Sequence, residues 1–296
     1  MANEMTTTAL ASVINAESIL EARLAFQDAA LLAGEVRLAD LTGVATKTAS
    51  FPVYAEASVT TPGSETTDVT TNSDITPTDV TLTVARRTVK IEPSDLGIAS
   101  SVDNMSVRLG QIIGAARAKK VDQDILGVMT TTFTSSVGAT NSTDVSIANL
   151  LTALLTLEGN EANRNLKLIL HPKQWNHIRG DMVLVSGTAA SSDRTLQAQE
   201  VTTSGRVFSN LLGAEVIVTP RVQTGTDTNA MYLGVFGWIA EGIGYAIKNV
   251  NAELGLPDIE LDRNASTGTT EFVMNYYDKA GIIRPSSLVL VKSQTY

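Results

Sequence analysis

The stretch SSVDNMSVRLGQIIGAARAKKVDQDILGVMTTT, residues 100–132, determines how the rest of the chain is interpreted. Ser100, followed three residues later by Asp103, is consistent with a capping box at the start of a helix. A helix of about 30 residues would be about 45 Å long, which is longer than most globular helices. We therefore expect one long rod here. Its apolar residues recur at helical steps of three and four: Leu96, Val102, Met105, Leu109, Ile112, Ala116, Val121, Ile125 and Val128.

Two glycines, Gly110 and Gly114, lie in the middle of this predicted helix. Each costs the helix about 1 kcal/mol relative to alanine, so their presence needs a reason. The sequence leaves two explanations open. Either the glycines allow close packing against a neighbouring backbone, or they are a point at which the helix bends. Both residues are therefore candidates for a bend.

Composition limits the classes of protein that fit. The chain has 296 residues, of which 43% are hydrophobic and 5% aromatic, as expected for a folded protein. Its net charge of -9 argues against a protein whose main task is to grip phosphate backbones. The absence of cysteine excludes disulfides, thiolate metal sites and cysteine nucleophiles. Stability must come from packing or from assembly.

No targeting or membrane segment is recognisable in the sequence. The first residues, MANEMTTTALASVINAES, lack the basic and then apolar order of a secretory signal. The most apolar later run, residues 231–240, is too short to cross a bilayer. We expect a soluble protein that is made in the cytoplasm and does not contact a membrane.

The chain before the long helix falls into two parts. Residues 1–45 contain a moderately amphipathic helix, which either docks on the body of the protein or forms an arm that packs on another subunit. Residues 46–92 contain two runs of β pattern separated by TTPGSETTDVTTNSDITPT, residues 60–78, which has almost no side chains able to form a core. Connections this long are uncommon inside a domain and are usually functional or disordered. We expect a projecting β-hairpin.

Charge is unevenly distributed along this hairpin. Its acidic residues include Glu65, Asp68 and Asp74, whereas the returning strand carries Arg86 and Arg87. One hypothesis is that the acidic tip lies on a basic surface of a neighbouring copy, which makes these five residues intersubunit candidates. The alternative is a solvated loop.

The chain after the long helix has a mixed pattern. A helix at residues 146–159 is followed by short buried strands at NLKLILHP, AEVIV and residues 231–240, which predicts an α/β lobe. The final residues, 243–296, alternate as strands again, and with the hairpin they would form an elongated sheet beside the long helix. The predicted divisions of this α+β chain are 1–45, 46–92, 93–145, 146–242 and 243–296.

The sequence contains no pattern that predicts catalytic, cofactor-binding or metal-binding residues. His171 and His177 are six residues apart and lack the spacing of a helical zinc pair. Asp122 and Asp124 lie two apart on a helix and must point to different faces. No nucleophile elbow, phosphate loop or calcium-binding loop is present. Trp175 and Trp238 are interpreted as core residues, and Lys119 with Lys120 as a solvated helix face.

The order of these features resembles the major capsid proteins of tailed bacteriophages, which share the HK97-type fold. Four strings resemble the family: ARRTVKIEPSDLGIASSVDN, AKKVDQDILGVM, LKLILHPKQWNHI, and LLGAEVIVTPRV followed by YLGVFGWIAEGIGYAI. The resemblance extends from about Val44 to Val291. It implies an N-terminal arm, an extended loop, a spine helix beginning near Ser101, a peripheral lobe with an elongated sheet, and an α/β axial lobe formed by residues 146–242.

The resemblance also implies a function. Many copies would assemble into hexamers and pentamers that close an icosahedral head around double-stranded DNA, within the virion, after assembly in the host cytoplasm. Partners would be a portal, a separate scaffolding protein and, in some members, a decoration protein. DNA would be contacted weakly, with Arg108, Arg117 and Lys119 as candidate inner residues. No lysine lies at the loop tip, and Lys47 and Lys90 lie at its base, so we expect no lysine–asparagine cross-link.

Other functions are compatible with parts of the pattern. An encapsulin-like nanocompartment shares the fold and encloses protein cargo. A surface or adhesin protein would explain the threonine content, but the chain shows no export signal. An enzyme ranks third, because no site for it is found.

Overall fold

Two large β-sheets and one long helix organise this α+β protein. The computed structural model describes residues 18–27, 29–54, 76–100, 105–130, 133–138, 144–185, 210–225 and 231–294. Residues 18–27 are helical. The later helices are α1 (Asp95–Ser100), α2 (Met105–Leu126), α3 (Ile147–Gly159), α4 (Pro172–Val185), α5 (Ile239–Gly242) and α6 (Val250–Leu254).

The strands of both sheets come from distant parts of the chain. The strands are β1 (Arg37–Asp40), β2 (Thr48–Val53), β3 (Thr78–Thr83), β4 (Ala85–Ile91), β5 (Ser136–Val137), β6 (Lys167–Leu170), β7 (Asn210–Leu211), β8 (Ala214–Val218), β9 (Met231–Gly237), β10 (Ile243–Lys248), β11 (Ile259–Asn264), β12 (Thr269–Ile282) and β13 (Leu288–Gln294). The five-stranded sheet has the order β1-β10-β12-β11, with β4 also paired to β12. The six-stranded sheet has the order β5-β13-β9-β6-β8-β7, and β2 pairs with β3.

The long helix ends earlier than the sequence predicted. Helix α2 is described over 22 residues, Met105–Leu126, which corresponds to about 33 Å. Ser100 is already helical, as the last described residue of α1, so its predicted role as the cap that begins the long helix is wrong. Residues 101–104, with Asp103, lie outside the described residues. At the other end, the Gln223 side-chain amide donates to the carbonyl oxygen of Gln123 at 3.2 Å. The same carbonyl oxygen accepts the backbone N–H of Gly127 at 2.8 Å, so the side chain adds a second hydrogen bond near the end of the helix.

The buried face of α2 agrees with the predicted stripe only in part. Leu109, Val121 and Ile125 are buried as predicted, whereas Ile112 is 56% exposed and Ala116 is exposed. The two glycines, which the predicted stripe left out, are buried. The buried apolar residues of the helix are Leu109, Ile113, Ala118, Val121, Ile125 and Leu126.

The β pattern of residues 46–92 forms three strands instead of two. Strand β3 pairs with β2, and after the buried residue Val84 the chain continues as β4, which pairs with β12. The returning run thus belongs half to a hairpin and half to the five-stranded sheet. Residues 55–75 lie outside the described residues, and with them Glu65, Asp68 and Asp74.

The second half of the chain follows the predicted elements, with two corrections. Helix α3 and strands β6, β8 and β9 occur where the sequence predicted them. However, residues 250–254 form helix α6, because the Asn249 side chain accepts from Ala252 N–H and Gly255 ends the helix in the left-handed region at φ 67°. The prediction that all strands of residues 243–296 form one sheet with the hairpin is wrong for β13, which pairs with β9 in the six-stranded sheet.

The N-terminal region contributes to the body of the protein. Strand β1 lies within the predicted arm of residues 1–45, yet it pairs in parallel with β10. One apolar cluster joins Leu32 and Val36 to Val121 of α2, to Val235 of the six-stranded sheet and to Tyr245 of the five-stranded sheet. The spine helix and the two sheets therefore share one core.

Candidate functional site

The helical segment of residues 18–27 is seated directly on the glycines of α2. A Cβ atom added at Gly110 would overlap the carbonyl oxygen of Ser18, and one added at Gly114 would overlap that of Ala22. The equal spacing of the two pairs shows that the segment runs parallel to α2. Of the two explanations for the glycines, close packing against a backbone is therefore present. A bend that differs between shell forms stays a prediction.

A buried carboxylate holds the chain that follows this segment. Asp122 is fully buried, and it accepts hydrogen bonds from the backbone N–H groups of Leu31 at 3.1 Å and Leu32 at 3.0 Å. It also forms an ion pair with Arg221, which donates to the carbonyl oxygen of Ala29 at 2.6 Å. One network thus joins the N-terminal region, α2 and the segment after β8.

Arg87 connects the base of the extended loop to α2 and the sheet. Its guanidinium lies 3.2 Å from the Asp124 carboxylate of α2 and 3.6 Å from that of Asp278 on β12. The two α2 aspartates point to different faces, as predicted. Arg87 is thus paired within its own chain, whereas Arg86 is exposed. The intersubunit role of both arginines stays a prediction.

Asp278 is the centre of a buried polar cluster. Its Oδ2 accepts a hydrogen bond from the Tyr245 hydroxyl at 2.8 Å. Burial, with the nearby Asp124 carboxylate adding to it, raises the pKa of Asp278. Burial likewise raises the pKa of Tyr276 to about 12. The cluster connects the base of the extended loop to α2 and to strands β10 and β12 of the five-stranded sheet. It places ionisable side chains inside the molecule, next to the apolar core.

The predicted inner basic residues do not share one environment. Arg117 lies over the rings of Phe26 at 4.6 Å and Tyr276 at 5.1 Å, so its guanidinium is occupied by cation–π contacts inside the molecule. Arg117 is thus half-buried, and its role towards DNA stays a prediction. Arg108 and Lys119 are exposed, and their role towards DNA stays a prediction.

Both histidines contact other side chains of the chain, and the two tryptophans are buried to different extents. His177 Nδ1 lies 2.8 Å from the Asp144 carboxylate. His171 stacks on the Tyr232 ring at 3.8 Å, and burial together with Lys173 lowers its pKa. Trp175 is buried as predicted, but Trp238 is only partly so. Within the part of the chain that is described, no group of three or more metal-binding side chains comes together.

An open cavity of about 510 Å³ lies beside Trp238. Its lining includes Lys167, which forms ion pairs with Glu215 at 2.9 Å and with Glu35. These charges satisfy one another, so the cavity presents no activated nucleophile. None of the described helices is both long and apolar enough to cross a bilayer.

Comparison with known proteins gives one family match. Residues 98–291 match the family described as phage capsid protein. This range includes α2, all of β12, and the six-stranded sheet apart from the last three residues of β13. No curated protein matches the sequence significantly.

Solved capsid structures share the fold over most of the chain. Similar structures include that of Mycobacterium phage Che8, with 13% identity, 88% of this chain and 90% of that chain covered, and a TM-score of 0.61. The capsid of Ralstonia phage GP4 has 8% identity, coverage of 90% and 91%, and a TM-score of 0.66. A virus-like particle from Pyrococcus furiosus has 10% identity, coverage of 93% and 98%, and a TM-score of 0.57. At these identities the likeness concerns the fold.

Proposed function

Because this chain belongs to the phage capsid protein family, we propose that its copies assemble into hexamers and pentamers that close an icosahedral head around double-stranded DNA. The chain is a major capsid protein with an HK97-like fold, and its role is that of a shell component. The family match over residues 98–291 carries this conclusion, since it includes strands of both sheets and the helix between them. The virion capsid is its location.

The details of assembly are part of the proposal. A separate scaffolding protein and a portal act with the shell in the host cytoplasm, and a decoration protein is an optional partner. The net charge of -9 fits a shell that confines DNA and contacts it weakly, since few phosphates would be neutralised. The acidic loop residues Glu65, Asp68 and Asp74 approach Arg86 of a neighbouring copy. No lysine–asparagine cross-link forms.

The role is structural and not enzymatic. In the described residues the ionisable side chains that are buried, such as Asp122 and Asp278, are engaged by partners that hold the fold together. Cohesion between copies must come from repetition and burial, because an exposed ion pair contributes only about 0–1 kcal/mol. Denaturing gels of purified particles test the cross-link: a ladder of covalent multimers would contradict its proposed absence.

Negative-stain microscopy of the expressed chain at several concentrations tests the shell function. We expect closed shells or capsomer rings, and a monomer at every concentration would contradict the proposal. The second candidate is a nanocompartment that shares the fold and encloses protein cargo. Nuclease-protected DNA in particles produced during infection supports the phage head, whereas enzyme cargo would support the compartment.

A further inference from the structure

The open cavity of about 510 Å³ beside Trp238 has a wall that belongs to the six-stranded sheet. Lys167 of β6 is paired with Glu215 of β8, and Glu215 is paired with Asn210 of β7. Side chains of directly paired residues share one face of a sheet, so these three form a row along the wall. The Trp238 N–H donates to the carbonyl oxygen of Ser287 at 3.0 Å, which fixes the backbone that carries the indole. Strands and backbone hydrogen bonds thus hold the lining in place.

The charged groups of the cavity are paired with one another. The Lys167 ammonium contacts Oε2 of Glu215 at 2.9 Å and Oε2 of Glu35, which leaves the second oxygen of each carboxylate to accept a hydrogen bond from a ligand. An anionic ligand would meet two carboxylates, and a cationic ligand would meet the ammonium. Because either ion would have to break an existing pair, the lining favours a neutral ligand.

Two side-chain amides add donors as well as acceptors to the lining. Asn165 and Asn210 are exposed at the cavity, and within the described part of the chain neither side chain has a hydrogen-bond partner. Each amide offers two N–H donors and one carbonyl acceptor, and a hydroxyl group both donates and accepts. Two amides together with two carboxylates therefore match a ligand that carries several hydroxyl groups.

Trp238 and Ile239 supply the apolar part of the lining. The indole is half-buried, and its flat apolar face suits the C–H face of a sugar ring, whose hydroxyl groups then point to the polar partners. A cavity of this volume lies within the range of small-molecule sites, about 300–1,000 Å³. We propose that this cavity binds a pyranose unit of a neutral oligosaccharide. A nucleotide base would also stack on an indole, but the two carboxylates would repel its phosphate. The site adds a ligand to the proposed shell function and does not depend on assembly.

Saturation-transfer NMR of the unassembled full chain tests this site with three probes: maltotriose, triacetylchitotriose and, for the competing class, adenosine. We expect saturation of the sugar ring protons. Trp238→Ala should weaken binding about tenfold or more, since the apolar wall is lost. Asn165→Gly should weaken it about threefold to tenfold, since one amide is lost. Glycine adopts the φ of 44° found at Asn165, so the fold is kept. The matched control is Glu161→Gly, at an exposed residue with φ 54° outside the lining, and it should leave binding unchanged.

The outcomes separate this inference from the shell function. No saturation of either trisaccharide would overturn the saccharide site, and so would saturation of adenosine alone. Undiminished binding in Asn165→Gly and Trp238→Ala, or an equal loss in Glu161→Gly, would also overturn it. If Trp238→Ala loses its circular dichroism spectrum, Asn165→Gly and Asn210→Ala decide, because both residues are exposed. Absence of particles from a chain that binds the sugars would instead count against the shell function and support the site.

Discussion

The carboxylate of Asp122 and the guanidinium of Arg221 form an ion pair whose acidic member is completely buried. The two residues are 99 positions apart in the chain. Their pairing fixes the segment after β8 against α2, and the remaining carboxylate hydrogen bonds hold Leu31 and Leu32. This ion pair thus joins the N-terminal region, α2 and the segment after β8, which are far apart in the sequence.

Replacing Asp122 by alanine should therefore destabilise the protein strongly. It leaves the Arg221 charge and two backbone N–H groups without their acceptor, and breaking a buried pair from one side costs about 3–5 kcal/mol. Urea unfolding of the dissociated chain measures this free energy. The control is Lys120→Ala, which removes an exposed i,i+4 pair with Asp124 and should cost about 0–1 kcal/mol. Equal losses in both variants would contradict the anchoring role of Asp122.

Alanine at the spine glycines provides a second prediction. The helix alone would gain about 1 kcal/mol per substitution. However, each new Cβ overlaps a carbonyl oxygen of the N-terminal segment, and overpacking costs about 1–3 kcal/mol. Gly110→Ala with Gly114→Ala should therefore lower the free energy of unfolding and release residues 18–27 to proteolysis. Gly180→Ala, in a helix with open space at that position, is the control and should be neutral or stabilising.

The same variant addresses the bend between shell forms. If α2 curves at Gly110 and Gly114, the double alanine variant should hold one curvature in both immature and expanded particles. Cryo-electron microscopy of the two forms measures it. Unchanged curvature differences would remove the bend hypothesis, and they would leave the contact with Ser18 and Ala22 intact.

Local sequence patterns predicted much of the fold. The helix at 146–159 and the strand NLKLILHP follow from short-range periodicity and capping, so α3 and β6 were found. The assignment of β13 failed because strand pairing depends on contacts far apart in the chain, here between residues 231–237 and 288–294. The stripe on α2 was wrong at Ile112 and Ala116, because it left out the two glycines whose backbone packs against residues 18–22. Its other members on the buried face, such as Val121, were predicted correctly.

The candidate sites were predicted less well than the fold. The contact of Arg87 with another copy stays a prediction. Its ion pairs with Asp124 and Asp278 join distant segments of its own chain, and no local sequence pattern predicts them. Arg221 lies in an ordinary turn, and the sequence held no signal for its role. Asp122 carried a weak signal, since an acid beside Val121 and near Ile125 falls on the apolar side of the helix. Such an acid needs a buried partner.

The raised pKa of Asp278 predicts a pH dependence of stability. A carboxyl group whose pKa is higher in the folded protein than its ordinary value of 3.8 contributes stability that is fully present below the ordinary value. That contribution is lost as the pH rises through the folded pKa, and each tenfold change in the dissociation constant corresponds to about 1.4 kcal/mol. The groups facing Asp278 are Tyr245, Tyr276, Asp124, Arg87 and Arg117.

Asp278→Asn removes this dependence while keeping an oxygen that can accept from Tyr245. The unfolding free energy of the unsubstituted chain should therefore fall relative to that of the variant as the pH rises from about 3.8 towards neutrality. Asp262→Asn, an exposed residue on β11, is the control and should give parallel curves. Parallel curves for Asp278→Asn as well would show that its carboxyl group titrates normally.

The extended loop provides the last prediction, which concerns contacts between copies. Neutralising Glu65, Asp68 and Asp74 together with alanine should lower particle yield at low salt, because the loop would lose its attraction to Arg86 of a neighbour. In the unsubstituted chain, salt should weaken this contact more than the apolar contacts, since the screening length falls from about 10 Å at 0.1 M to about 3 Å at 1 M. Light scattering across a salt series measures particle dissociation.

Substitutions that do not change the charge of the loop distinguish an effect of ion pairing from an effect of loop conformation. Thr66, Thr67 and Thr71 replaced by alanine alter the same loop without changing its charge, and particles of this variant should keep the normal salt dependence. Arg86→Ala should reproduce the loss seen with the acidic triple variant, whereas each exposed pair alone contributes about 0–1 kcal/mol. If the acidic triple variant keeps both its yield and its salt dependence, ion pairing does not hold the loop, and apolar burial must supply the cohesion between neighbouring copies.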